Sequence, residues 1–214
     1  MSNKDSHVLS TESDAGSELP GRLIVVSGAS GSGKSTLLSL ALNDPRVKAR
    51  RSISATTRPP RPGEVEGRDY FFMARSEFEA GVAQSAFLEW AEVHGNLYGT
   101  PLEAVERQLA LGDCVILEID VQGAFQVRAR LTSTVLIFIR PPDFETLEAR
   151  LRQRSTEDAS TLALRLENAR RETEQASLYD HQLLNEDLDR AAEDLVRLFD
   201  SLGCGGSEDD ARRT

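Results

Sequence analysis

The chain has 214 residues and 39% hydrophobic content, enough to fill the core of one domain of ordinary size. Its formal net charge of −10 argues against general nucleic-acid binding, which favours a basic surface. Two cysteines are too few for a disulfide framework, the three histidines (His7, His94, His181) are scattered, and no apolar stretch approaches membrane-spanning length or a signal-peptide core, which leaves a reducing, cytoplasmic setting as the expectation.

Residues 1–20 are rich in Ser, Asp, Glu and Gly and predict a disordered arm. Residues 22–26 form a short apolar, β-branched run that predicts a buried strand. Gly28-Ala29-Ser30-Gly31-Ser32-Gly33-Lys34-Ser35 follows with the spacing G-x-x-x-x-G-K-[ST], and Thr36-Leu37-Leu38 continues into a helix with one apolar face. Strand, glycine-rich turn and helix together make a phosphate site. The glycines let several N–H groups point at one anion, and the helix N-terminus adds partial positive charge. Residues 28–36 are therefore the predicted triphosphate cradle, with Lys34 reaching the β- and γ-phosphates and the Ser35 hydroxyl on Mg²⁺. A flexible Gly/Ser linker would not be flanked by a strand and a helix.

Positive charge is concentrated in two islands. Residues 46–68 hold Arg46, Lys48, Arg50, Arg51, Arg58, Arg61 and Arg68, and residues 150–171 hold Arg150, Arg152, Arg154, Arg165, Arg170 and Arg171. In an acidic chain with a phosphate loop, such islands suit a small polyanion; the bland alternative is solvated helix faces, particularly for Arg170 and Arg171. Residues 52–100 are rich in turn signals with short β-patterned pieces at 69–72 and 87–93, which predicts an insert of mostly antiparallel strands over the carboxyl ends of the main strands. Within it, Arg58 and Arg61 lie three apart on a proline-stiffened loop and can grip one phosphate from two sides, and the Tyr70 phenol can donate to the same group.

Beyond the insert, residues 115–119 and 134–139 read as buried strands, with Cys114 a small core residue at the edge of the first. A helix starts near residue 121, and further helices are predicted at about 143–152 and 160–178. A short strand at 181–184, a helix at 188–202 and a loose tail at 203–214 complete the chain. The alternation predicts an α/β fold with a parallel core sheet and helices on both faces. Asp120 ends an apolar strand, the usual place for a carboxylate facing Mg²⁺-bound water or a substrate hydroxyl. Glu118 shares its strand face and either supports Asp120 or pairs with a nearby arginine.

With these pieces in place, the chain resembles the guanylate kinases. The matching motifs are residues 28–35, Ser54-x-Thr56-Thr57-Arg58-x-x-Arg61-x-Gly63-Glu64, Gly67-x-Asp69-Tyr70, Phe87-Leu88-Glu89-Trp90-Ala91, Gly95-Asn96-x-Tyr98-Gly99-Thr100 and Leu117-Glu118-Ile119-Asp120-x-Gln122-Gly123, in the family's order over residues 22–202. The resemblance implies a P-loop three-layer α/β fold: core 21–51 and 101–202, a GMP-binding insert at about 52–100, and a helical lid at about 150–170. It implies transfer of the γ-phosphoryl of ATP to GMP, with Mg²⁺, in purine nucleotide metabolism. It places Arg58, Arg61, Tyr70, Tyr98 and Glu64 at the GMP phosphate and Ser54, Glu89 and Thr100 at the guanine. Asp120 and Glu118 lie between the nucleotides, Asn185 near the adenine, and Arg150, Arg154 and Arg165 in the lid over the ATP phosphates. The family commonly has Arg-Gly where this chain has Arg154-Ser155. The implied partners are ATP and GMP, with dGMP as a further acceptor, and neither nucleic acid nor membrane; nothing in the sequence opposes a homo-oligomer.

The residue chemistry agrees with guanine. A carboxylate at Glu89 can accept from N1–H and the N2 amine together, whereas adenine would present a lone pair there. Three rivals stand beside this reading. Another acceptor monophosphate is opposed by Ser54, Glu89 and Thr100. A peptide-binding module would be expected to have a degraded P-loop, yet Gly33, Lys34 and Ser35 are intact. A GTPase should carry N-K-x-D after the P-loop, and the one Asn-Lys pair, Asn3-Lys4, precedes it.

Overall fold

The computed structural model describes residues 19–93, 95–154 and 159–206. In chain order its strands and helices are β1 (Arg22–Gly28), α1 (Lys34–Asn43), β2 (Ala49–Arg51), β3 (Ala55–Thr56), β4 (Phe71–Phe72), α2 (Arg75–Ala83), β5 (Phe87–Val93), β6 (Asn96–Pro101), α3 (Leu102–Ala110), β7 (Cys114–Glu118), α4 (Val121–Arg130), β8 (Val135–Arg140), α5 (Phe144–Arg154), α6 (Ala159–Glu174), β9 (His181–Leu184) and α7 (Leu188–Phe199). The predicted arm falls at residues 1–18, outside the described residues, as do residues 207–214 of the predicted tail.

Five strands form a parallel sheet in the order β2-β7-β1-β8-β9. β1 is buried from Leu23 onward because alternate residues feed two cores, one on each face. Ile24 and Val26 join Leu37 and Leu38 of α1 and Leu195 and Phe199 of α7. Leu23 and Val25 join Val105 of α3, Val121 and Val127 of α4, and Phe138. Each such fully buried side chain contributes roughly 1.5–3 kcal/mol. This is the predicted α/β architecture, with one strand, β2, that the sequence reading did not separate from the arginine island around it.

The insert carries a second sheet, ordered β4-β3-β6-β5. β6 pairs antiparallel with β3 and β5, while β3 and β4 run parallel. It is not strands alone: α2 packs Phe78 into a small core, stacked on Phe87 with ring centroids 4.2 Å apart. A strand reading was natural there because the segment before it is all turn signals, but Phe78 and Val82, four apart, supply one apolar helical face.

Two expectations at the C-terminus are corrected. Residues 203–206 are not loose: Lys48 N–H donates to Cys204 O at 2.7 Å, Gly206 N–H to Arg46 O at 2.8 Å, and Gly205 bridges Val47. Cys114 is buried as predicted, but it is not a lone core residue. It is disulfide-bonded to Cys204, 90 residues away, tying this segment to β7, the strand beside edge strand β2. Pairing by distance in the fold leaves no mark in the spacing of two cysteines.

Candidate active site

β1 ends at Gly28 and the next residues curl into a loop that opens α1 at Lys34. Gly31 and Gly33 hold φ of 87° and 83°, the left-handed region where glycine carries no Cβ penalty. Residues 29–36 line a cavity of about 180 Å³, the shape the sequence motif predicts. A second cavity of about 310 Å³ adjoins it, lined by Gly31, Gly33, Thr36, Arg150, Asn185, Glu186 and Leu188.

Asn185 does more than border that cavity. Its Nδ2 donates to Ser32 O at 2.8 Å, and it is buried. A Cβ on Gly33 would stand 2.4 Å from that nitrogen, so the close approach itself requires glycine. Asn185 is thus a brace for the P-loop, held in turn by its own N–H on Arg140 O. The resemblance implied only a place near the adenine.

Strand β7 delivers two carboxylates to this end of the sheet. Its pairing sets Glu118 beside Val26, two residues before the P-loop. There Ser35 Oγ donates to Glu118 Oε1, and Arg51 Nη1 lies 3.3 Å from Glu118 Oε2. The two alternatives for Glu118 thus converge, since one carboxylate meets both the P-loop serine and an arginine. Arg51 was not singled out as a site residue because only the β2–β7 pairing brings it there. Asp120 sits elsewhere: it caps α4, its Oδ1 accepting the Gly123 N–H at 2.8 Å, and its backbone oxygen accepts the Ser27 hydroxyl. The carboxylate that meets the P-loop serine is Glu118, while Asp120, expected at Mg²⁺-bound water or a substrate hydroxyl, stands at the start of α4. Adjacent hydroxyl and carboxylate oxygens are hard donors that suit Mg²⁺. No group of three or more His, Cys, Asp or Glu able to hold a metal occurs among the described residues.

The insert gathers a second cluster of basic and phenolic side chains. Arg58 Nη2 donates to Glu64 Oε1 at 2.8 Å, its guanidinium lies 5.5 Å from the Tyr70 ring centre, and Tyr70 meets Tyr98 edge to face at 6.1 Å. The Glu64 carboxylate raises the Arg58 pKa, with Tyr98 adding to the effect. Glu64 Oε2 also accepts the Arg61 N–H at 2.7 Å, and the Arg61 side chain is exposed. Glu64 thus orients the loop of both arginines, which fits a positioning role better than direct contact with an anion.

Beside it, Glu89 is buried at 6% exposure and its Oε1 accepts from Thr100 Oγ1 at 2.6 Å. Burial pushes the Glu89 carboxyl up to about 7; the Thr100 hydroxyl opposes this and the charge of Asp120 adds to it. The β3–β6 register pairs Ala55 with Gly99, so the preceding residue, Ser54, falls opposite Thr100. Ser54, Thr100 and Glu89 thus lie in one row across β3, β6 and β5. A Cβ on Gly123 would stand 3.0 Å from Glu89 Oε2 and 3.4 Å from Asp120 Oδ1, so the start of α4 packs on this row. The end of β7 and the start of α4 therefore touch both regions, Glu118 at the P-loop and Gly123 at Glu89.

The arginine islands divide. Arg46, Arg50 and Arg68 pair with Asp44 and Glu193, Asp113 and Asp69. Arg152 and Arg171 pair along their helices with Glu148 and Glu167, and Arg170 stacks on Phe144. Of the three predicted lid arginines, Arg150 lines the cavity beside Gly33, and Arg165 Nη2 donates to Ser30 Oγ at 3.2 Å. Arg154 ends α5, and its side chain lies outside the described residues, as do residues 155–158 of the predicted lid.

A phosphate loop after β1, a parallel core sheet and an insert carrying its own small sheet define a P-loop α/β nucleotide-binding protein. Comparison with known proteins narrows the class. A family model described as guanylate kinase matches residues 20–202. The chain is 48% identical over 186 residues to the guanylate kinase of Rubrobacter xylanophilus, covering 87% of this chain and 97% of that one. It is 51% identical over 181 residues to that of Neisseria meningitidis serogroup A, covering 85% and 88%. The crystal structure of guanylate kinase from Anaplasma phagocytophilum matches with a TM-score of 0.66 and 32% identity, covering 85% of each chain. The chain belongs to the guanylate kinase family.

Proposed function

We propose that the protein transfers the γ-phosphoryl group of ATP to GMP, giving ADP and GDP. The observation that carries the choice of acceptor is the buried Glu89 carboxylate bonded to Thr100 in one row with Ser54. Guanine offers N1–H and the N2 amine side by side to a carboxylate, and its O6 accepts from hydroxyls. Adenine presents the reverse pattern and would leave buried polar groups unpaired, at about 1–3 kcal/mol each.

In this reading Arg58, Arg61, Tyr70 and Tyr98 hold the GMP phosphate, with Glu64 fixing the arginine loop. Residues 28–36 cradle the ATP phosphates, Asn185 braces the cradle, and the adenosine lies along the cavity beside Arg150. The acceptor phosphate is already an anionic nucleophile, so no general base is needed. Catalysis is positioning plus neutralisation of charge by Lys34 and the lid arginines Arg150, Arg154 and Arg165. Ser35 would hold Mg²⁺, with Glu118 orienting it and Asp120 facing the acceptor side. When bound, that ion neutralises phosphate charge and aligns the γ-phosphoryl group. Lid closure excludes water, since a wet site would hydrolyse ATP.

The assigned contacts reach base and phosphate and none reaches the ribose, so dGMP is an acceptor as well. Among the described residues no helix is long and apolar enough to cross a membrane; a cytoplasmic setting, where ATP and GMP are present, belongs to the same proposal, and the Cys114–Cys204 disulfide departs from the reducing state expected there. The test is anion-exchange separation of the nucleotides formed by protein with Mg·ATP and GMP. ADP and GDP should appear in equal amounts; ADP without GDP would contradict the proposal.

A further inference from the structure

Both helices of the lid region rest on the tip of the P-loop. From α5, Leu147 and Leu151 approach so closely that a Cβ on Gly31 would stand 3.1–3.2 Å from them. From α6, Ala169 is buried in one cluster with Ala29, Leu147 and Leu151. Arg165 and Glu172, four residues before and three after Ala169, share its helical face. Both bond to Ser30: Arg165 Nη2 donates to its hydroxyl at 3.2 Å, and its N–H donates to Glu172 Oε2 at 3.3 Å.

Glu172 is not a solvated carboxylate with a helical partner. Glu167 on the same helix has that arrangement, paired with Arg171 four residues on. Glu172 is half-buried and reaches a backbone donor 142 residues away. Burial raises its carboxyl, with Ser30 and the charge of Lys34 opposing and that of Asp120 adding. A half-buried carboxylate is costly unless it is compensated, and here the P-loop supplies a compensating donor in the Ser30 N–H.

We propose that Glu172 is a positioning residue for phosphoryl transfer. Through the Ser30 N–H it sets the register between α6, which carries Arg165, and the P-loop, which carries Lys34. This rests on reading the P-loop as the donor-nucleotide site. Its consequence is one-sided: loss of Glu172 should damage the ATP half of the reaction and leave the GMP half alone.

The experiment compares wild type with Glu172→Ala, Glu172→Gln and Glu172→Asp in steady-state kinetics, thermal unfolding, and calorimetric titration with Mg·ATP in the absence of acceptor. Glu172→Ala should lower kcat tenfold or more and weaken Mg·ATP at least fivefold, with KM for GMP within twofold of wild type. Glu172→Gln, whose amide oxygen can still accept the Ser30 N–H, should recover kcat to within threefold of wild type. If Glu172→Ala does not fold, Glu172→Asp decides, since it keeps the charge but falls one methylene short of Ser30 and should show the same loss. Wild-type kcat in Glu172→Asp or Glu172→Ala, equal damage to both substrates, or no rescue by Gln would overturn the proposal. A wild-type protein that binds Mg·ATP but leaves GMP unphosphorylated would contradict the acceptor assignment instead. The Mg·ATP titrations of the variants would then still decide the role of Glu172: weaker binding supports it, unchanged binding overturns it.

Discussion

Thr100 Oγ1 donates to Glu89 Oε1 at 2.6 Å across the paired strands β5 and β6, and this bond holds a buried carboxyl whose pKa is pushed up to about 7. Guanine favours the ionised form, so GMP binding should lower that value. At pH 6 the free protein holds Glu89 mostly protonated, and GMP binding should release close to one proton. Calorimetry in two buffers of different ionisation enthalpy reads this directly. GMP affinity should fall as pH drops below about 7, and Glu89→Gln should cut the proton release to the share contributed by the GMP phosphate, whose second pKa is about 6. No proton exchange at pH 6 in wild type would remove Glu89 from the guanine site.

The same group makes a stability prediction. Its folded value lies above the unfolded 4.5, so its favourable contribution is complete below about 4.5 and is lost as pH rises through about 7. Above pH 7 the buried charge costs up to roughly 3 kcal/mol. Glu89→Gln should therefore unfold at a higher temperature than wild type at pH 8, with the advantage shrinking toward pH 5. An advantage that does not change with pH would contradict the burial argument.

Lys34→Ala should lower turnover by about 10²–10³-fold, the scale of losing one charge-stabilising donor. Circular dichroism should stay native, since Lys34 is only half-buried at the first turn of α1. Normal turnover in the folded variant would sink the phosphate assignment.

Asn185→Ala removes the donor to Ser32 O and leaves a buried carbonyl unsatisfied. At about 1–2 kcal/mol, KM for ATP should rise roughly 5–30-fold, with KM for GMP unchanged. A rise confined to GMP would show that the brace has been assigned to the wrong nucleotide.

The Cys114–Cys204 disulfide closes a segment of 90 residues, and in the chain-entropy account such a loop is worth roughly 4–5 kcal/mol. Denatured, unreduced protein should show no titratable thiols, and Cys204→Ser should lower the unfolding midpoint by several degrees with little change in kcat. Two titratable thiols in oxidised preparations would contradict the pairing.

What the sequence made legible is what lies contiguous in it. The P-loop is one uninterrupted run whose flanking strand and helix confirm it. Arg58, Arg61 and Tyr70 fall within thirteen residues of one another, and Glu89 and Thr100 within one hairpin. What stayed hidden is made by pairing at a distance. Arg51 reaches Glu118 only because β2 lies beside β7, and Asn185 reaches Ser32 only because β9 ends beside the P-loop. Cys204 meets Cys114 only through the docked C-terminal segment. The arginine islands divide along the alternative stated for them: Arg171, read as part of a solvated helix face, pairs along its helix, as Arg152 also does, and charge density alone does not say which side chains will do so. Asp120 reads from its strand-end position as a carboxylate at Mg²⁺-bound water or a substrate hydroxyl; the fold adds that its Oδ1 caps α4 and that Glu118, two positions earlier, stands at Ser35.

The central claim is that this chain phosphorylates GMP and selects it through Glu89. The most direct measurement is kcat/KM by coupled ADP release with Mg·ATP against GMP, dGMP, AMP, CMP and UMP, for wild type and Glu89→Gln. The account predicts rapid turnover with GMP and dGMP, little with the others, and a GMP preference that falls by at least tenfold in the variant. Turnover with AMP equal to that with GMP, or a preference untouched by Glu89→Gln, would contradict it.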